Sequence, residues 1–127
     1  MDLSQEKFVF VDGIRTRYFD KGIGRVIVLF HGGNFGSPHA ADCAADWNLN
    51  FDGLAEKCRV IAVDKIGQGL TDNPKHDNDY NMGTVVQHAL KFLEVLELED
   101  CFLVGHSRGA YLTCRMTLDN PDRIKAN

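Results

Sequence analysis

The chain has 127 residues, of which 44% are hydrophobic and 25% charged, and its formal net charge is −4. That length suits one domain, and the composition is ordinary for a globular protein. The acidic balance gives no electrostatic reason to bind nucleic acid, and no apolar run of roughly 18 residues is present to span a membrane.

Met1 to Lys7 lacks the basic-then-apolar order of a signal peptide. Cys43, Cys58, Cys101 and Cys114 form no Cys-x-x-Cys pair, and the last three sit in or beside apolar segments. Buried, reduced thiols in a cytoplasmic protein are therefore expected, rather than a disulfide framework. The histidines have no ligand spacing to support a metal site, and no cofactor is expected.

In chain order, the first signal is a hairpin: Lys7 to Val11 and Arg15 to Phe19 flank Asp12-Gly13. Val26 to Phe30 is apolar on both faces and β-branched, as expected of a strand inside a parallel sheet. Residues 60–63 and 101–104 share that character. Between them, an Ala-rich stretch over about 40–57 favours a helix, although Asn48, Asn50 and Gly53 interrupt it. Val86, Ala89/Leu90, Leu93 and Leu96 recur at helical spacing, with Gln87, Lys91, Glu94 and Glu97 facing outward. Residues 108–118 read as a last helix, closed by Asp119-Asn120-Pro121. A hairpin followed by alternating strands and helices predicts an α/β fold, with a mostly parallel sheet and helices on both faces.

Three motifs follow the three buried strands. Gly105-His106-Ser107-Arg108-Gly109 lies between a strand ending at Val104 and a helix starting at Arg108. So tight a turn forces Ser107 into a strained conformation, with glycines at 105 and 109 allowing close chain approach. It aims the Ser107 hydroxyl at the helix N-terminus, where the Arg108 N–H can stabilise an oxyanion. The bland alternative is an ordinary serine N-cap. His31-Gly32-Gly33-Asn34-Phe35-Gly36 can turn a second N–H, from Gly33 or Asn34, toward the same oxyanion. A phosphate cradle or a simple turn are the other readings, but no Gly-Lys-Ser/Thr follows. Asp64-Lys65-Ile66-Gly67-Gln68-Gly69-Leu70-Thr71-Asp72 offers Asp64 or Asp72 as an acid. The turn-forming role, with Asp64 bonding local N–H groups, is favoured.

These three motifs, in this order and spacing, resemble the N-terminal half of the α/β-hydrolase superfamily over roughly residues 7–125. Asn120 to Ile124 resembles the approach to that family's next strand. His31-Gly32-Gly33 and Phe51-Asp52-Gly53-Leu54-Ala55 resemble the meta-cleavage-product (carbon–carbon bond) hydrolases and related small-molecule esterases. Carbon–carbon hydrolases usually carry asparagine where His106 stands, which favours an esterase or lactonase. Dehalogenase and epoxide-hydrolase relatives use an aspartate nucleophile, so Ser107 argues against both. The resemblance implies a serine hydrolase acting through an acyl-serine on a small ester, lactone or activated carbonyl.

It also implies a base and an acid placed after the nucleophile. After Ser107 the sequence has Asp119 and Asp122, no glutamate and no histidine. Both aspartates fall at the far end of the following helix. His106 is expected to point into packing, His31 to serve the oxyanion turn structurally, and His39, His76 and His88 to lie in a loop, a polar stretch and a helix face. His39 is the least implausible substitute base.

The expectation is therefore residues 1–127 as the N-terminal part of one domain, with the lid, acid and base beyond it and little activity alone. Losing a triad base removes on the order of 10⁶ in turnover. Strand 101–104 is expected as an exposed edge open to self-association. The competing hypothesis is a non-catalytic module that binds a small ligand or a partner.

Overall fold

The computed structural model describes residues 1–33, 35 and 42–126. Strands β1 (Lys7–Val11) and β2 (Ile14–Lys21) form the expected hairpin, in antiparallel register with Val11 opposite Ile14. Asp12 and Gly13 supply the two positive φ angles, 49° and 79°, that a tight two-residue turn requires. Then follow β3 (Val26–Phe30), α1 (Asn48–Ala55), β4 (Arg59–Val63), α2 (Met82–Val95), β5 (Cys101–Gly105), α3 (Arg108–Asp119) and β6 (Ile124–Ala126). The six strands make one sheet in the order β1-β2-β4-β3-β5-β6. The β2–β4 pair is antiparallel, whereas β3–β4, β3–β5 and β5–β6 are parallel.

The period of two along β3 and β4 sorts their side chains onto two faces. Val28, Phe30, Ile61 and Val63 join Val86, Phe92 and Leu93 of α2 and Leu112 and Met116 of α3 in the larger core. Leu29, Val60 and Ala62 pack with Phe19, Cys58 and Phe51 of α1 on the other face. Helices thus cover both faces, as the strand–helix alternation predicts. The uncertain stretch resolves, within the described residues, into a 3-10 turn Ala44–Trp47 running into α1. Asn81 caps α2 by accepting from the Thr84 N–H at 3.0 Å.

Three expectations need correction. Strand β5 is not a free edge: β6 pairs beside it, with Cys101 opposite Ile124, so the edge passes to a three-residue strand. Nor is β5 covered on both faces, because α1 lies over β3 and β4 but leaves Phe102 half-buried and Val104 40% exposed. Cys114 is exposed, being about 200° around α3 from the inward-facing Leu112 and Met116. Cys58 and Cys101 are buried, and Cys43 is half-buried. No helix among the described residues is long and apolar enough to cross a membrane.

Candidate active site

The C-terminal ends of β3, β4 and β5 carry the three motifs. At the end of β5, Ser107 adopts φ 54° and ψ −116°, outside the regions that residues with a side chain normally occupy. Its side chain makes no capping hydrogen bond, which excludes the ordinary N-cap reading. A Cβ on Gly105 would collide with the Gly109 carbonyl, and one on Gly109 with the carbonyls of Phe30 and His31. Both glycines are therefore demanded by the contact of α3 with the strand ends. In the first turn of α3, the Gly109 N–H donates to His106 O, and those of Ala110 and Tyr111 donate to Ser107 O. The Arg108 N–H has no acceptor among the described residues and stands at the positive end of the helix. The Arg108 side chain is exposed.

The turn after β3 comes directly against this elbow. A Cβ placed on Gly32 would lie 3.5 Å from the Ser107 Cβ and 3.0 Å from His106 Nδ1. Gly33 has φ 72°, and a side chain there would run into the Asp42 carboxylate. His31 is fully buried and fixes the turn with both ring nitrogens. Its Nε2 accepts from the Lys65 N–H at 3.1 Å, so the ring proton belongs on Nδ1, which donates to Gly32 O at 2.9 Å. Across a trans peptide the N–H points opposite to the C=O, so the Gly33 N–H is turned away from the imidazole. Burial pushes the His31 pKa down to about 4, in keeping with the neutral ring that these bonds require. Asn34 and His39 lie outside the described residues.

Asp64 is fully buried and saturated by structural donors. It accepts from Arg17 Nε at 2.7 Å, the Ala44 N–H at 2.7 Å and the Leu70 N–H at 2.8 Å. Arg17 also reaches Glu6 at 3.3 Å. The Thr71 hydroxyl donates to Asp64 O at 2.9 Å and accepts from the Arg17 N–H at 3.0 Å. Asp64 thus ties β2, β4 and the 64–72 loop together in the turn-forming role. Asp72 is exposed, and its backbone bonds Gly67 and Arg15. Asp119 is paired with Arg115 at 2.7 Å at the far end of α3.

Of the remaining histidines, His106 departs from expectation, while His88 lies on a helix face and His76 in a polar stretch as expected. His106 is exposed instead of packed, since the elbow turns its ring toward Gly32 at the end of β3. His88 is buried under the hairpin, 3.0 Å from the Thr16 hydroxyl, and desolvation pushes its pKa down to about 4. His76 is exposed in the loop before α2. A groove of about 930 Å³ between the hairpin and α2, bordered by Ile14, Ile66, Thr84, Gln87 and Lys91, contains none of the elbow residues.

Sequence reasoning overlooked Lys65. It is only 4% exposed, and its Nζ donates to Gly33 O at 3.0 Å. Burial lowers its pKa to about 8, with Arg108 pushing the same way and Asp42 and Asp46 opposing. The signal was a lysine placed directly between a buried strand and the glycine turns of the 64–72 loop.

The sequence profile of the alpha/beta hydrolase fold family matches residues 25–126. A 2-hydroxymuconate semialdehyde hydrolase of Pseudomonas sp. (strain CF600) is 34% identical over 117 residues, covering 92% of this chain and 40% of its own. Epoxide hydrolase 2 of Caenorhabditis elegans is 30% identical over 114 residues, covering 88% of this chain and 30% of its own. Among solved structures, a meta-cleavage product hydrolase variant from Pseudomonas fluorescens IP01 superposes with a TM-score of 0.84 at 32% identity. That match covers 97% of this chain and 43% of the other. This chain therefore spans less than half the length of these relatives. With the serine elbow, the glycine turn and the sheet order in place, the chain belongs to the α/β-hydrolase fold family.

Proposed function

We propose that the protein carrying these residues is a serine hydrolase acting on a small ester, lactone or activated carbonyl, with residues 1–127 as the N-terminal part of its catalytic domain. The observation that carries this reading is the strained backbone of Ser107, at φ 54° and ψ −116°, with the Gly32–Gly33 turn against its Cβ. Ser107 Oγ adds to the carbonyl carbon, and the N–H groups of Arg108 and of Gly33 or Asn34 hold the resulting oxyanion. Collapse expels the leaving group, and water then releases the acid from the acyl-serine. The Ser107 proton needs a base. His31 and His88 are committed to structural bonds, and the sequence beyond Ser107 has no histidine. In the resembling family the base is a histidine that follows the nucleophile, and on this reading it comes from residues outside 1–127, without which acylation is close to absent. Serine at position 107 favours this chemistry over epoxide opening, which in the resembling enzymes uses aspartate. His106 at the elbow favours ester or lactone substrates over carbon–carbon cleavage. The free cysteines fit a reducing, cytoplasmic compartment.

A fluorophosphonate probe tests this on the full polypeptide that contains the chain. Labelling at Ser107, abolished by Ser107→Ala, is the expected result. A folded full polypeptide that takes up no label at Ser107 overturns it and favours the second reading, a non-catalytic ligand- or partner-binding module. The observation on that side is that His31 and His88, the two buried histidines, are both held in structural hydrogen bonds.

A further inference from the structure

We propose that Lys65 is a positioning residue for the oxyanion turn, fastening the Gly32–Gly33 segment from two sides so that the Gly33 N–H is held ready for developing negative charge. The inference rests on the serine-hydrolase reading above and extends it to a residue that touches neither substrate nor nucleophile.

Lys65 grips the turn twice. Its backbone N–H donates to His31 Nε2 at 3.1 Å, which commits the imidazole proton to Nδ1 and hence to Gly32 O. Its side chain returns across the strand ends to donate from Nζ to Gly33 O at 3.0 Å. The two carbonyls that flank the Gly33 N–H along the chain, those of Gly32 and Gly33, are thus both anchored, one through the imidazole and one through the ammonium. A glycine at φ 72° would otherwise be free to flip the neighbouring peptides. Oxyanion donors help catalysis to the extent that they are already oriented, because no reorganisation is then needed as charge develops.

An uncharged side chain would lie at a 4% exposed position at far less desolvation cost, so an ammonium there calls for compensation. Asp42 and Asp46 supply it from the segment before α1, while Arg108 opposes it from the start of α3 and His31 faces it from the end of β3. The balance leaves Lys65 with a pKa lowered to about 8. An ammonium is a stronger donor to a carbonyl than the neutral amine. The grip on Gly33 should therefore weaken as pH rises through about 8.

The test uses the full polypeptide, with Ser107 acylation by a p-nitrophenyl ester followed by stopped flow from pH 6 to 10. In parallel, the Gly33 carbonyl carbon is followed by NMR over the same range. The unmodified protein should acylate more slowly above about pH 8, and the Gly33 carbonyl should titrate with the same midpoint. Lys65→Met, similar in length but unable to donate, should slow acylation about tenfold at pH 7, with KM changed less than about twofold and the Gly33 titration abolished. That loss is smaller than the roughly 10²–10³-fold for deleting an oxyanion donor itself. Lys65→Arg, which keeps a charged donor, should retain most of the rate and carry the alkaline decline out of range. Circular dichroism checks folding, and should Lys65→Met not fold, Lys65→Arg and the Gly33 titration decide alone. No Gly33 titration near pH 8, or an unchanged acylation rate in folded Lys65→Met, overturns the proposal. Acylation that persists in Ser107→Ala overturns the serine reading instead.

Discussion

Replacing Ser107 by glycine and, separately, by alanine isolates the backbone strain at the elbow from the hydroxyl. Both variants remove Oγ, and no capping bond is lost with it, since the Ser107 side chain makes none. They differ in the backbone. Alanine keeps the Cβ that makes φ 54° and ψ −116° unfavourable, a conformational cost of about 1–3 kcal/mol. Glycine relieves that cost but gives the unfolded chain more freedom, which returns about 0.5–1 kcal/mol. Ser107→Gly should therefore be more stable than Ser107→Ala by about 1 kcal/mol. Urea unfolding of both proteins at pH 7.5, with m-values checked for equality, reads the difference. If alanine is as stable as glycine, the strain is not stored at this residue and the elbow argument fails.

Asp64→Asn should destabilise the fold by about 3–5 kcal/mol, because Arg17 would lose its buried counter-charge and the amide NH2 would meet either the Ala44 N–H or those of Arg17 and Leu70. Urea denaturation checks this, and a loss under about 1 kcal/mol would show that Arg17 finds other support. His31 and His88 both have folded pKa values of about 4, against 6.5 for an unperturbed histidine. The unfolded chain therefore binds protons first as pH falls, so stability is complete above 6.5 and declines toward 4. At about 1.4 kcal/mol per pH unit for each group, the two should make pH 5 roughly 4 kcal/mol less stable than pH 7.5. His88→Gln should halve that slope, and equal denaturation midpoints at the two pH values would contradict the assignment.

Much of this architecture was legible because its causes are local. Asp12-Gly13 could supply the two positive φ angles of the hairpin, and the β-branched runs at 26–30 and 60–63 could bury both faces. Gly105 and Gly109 announced a close approach that the carbonyls of Gly109 and Phe30 make. What escaped was set by residues distant in sequence. Arg17 meets Asp64, Thr16 meets His88 and Lys65 meets Gly33 only after the sheet has assembled. No periodicity encodes such pairs. His106 was misplaced for a related reason: the elbow rotates it toward Gly32, a neighbour visible only in three dimensions.

The position of β3 in the sheet bears on how the molecule can be made. β3 is translated before both of its partners, yet it ends between β4 and β5, with Ile27 opposite Val60 on one side and Phe102 on the other. Until β5 has emerged, β3 can pair with β4 only, and its other backbone edge is unsatisfied. Parallel pairing across so long a stretch of chain closes late and slowly. The glycine turn therefore meets Ser107 only after residue 105 has left the exit tunnel and β5 has docked. A ribosome stalled before β5 emerges would leave one backbone edge of Val28 to Phe30 open to solvent, and that arrested species is the one expected to need a chaperone.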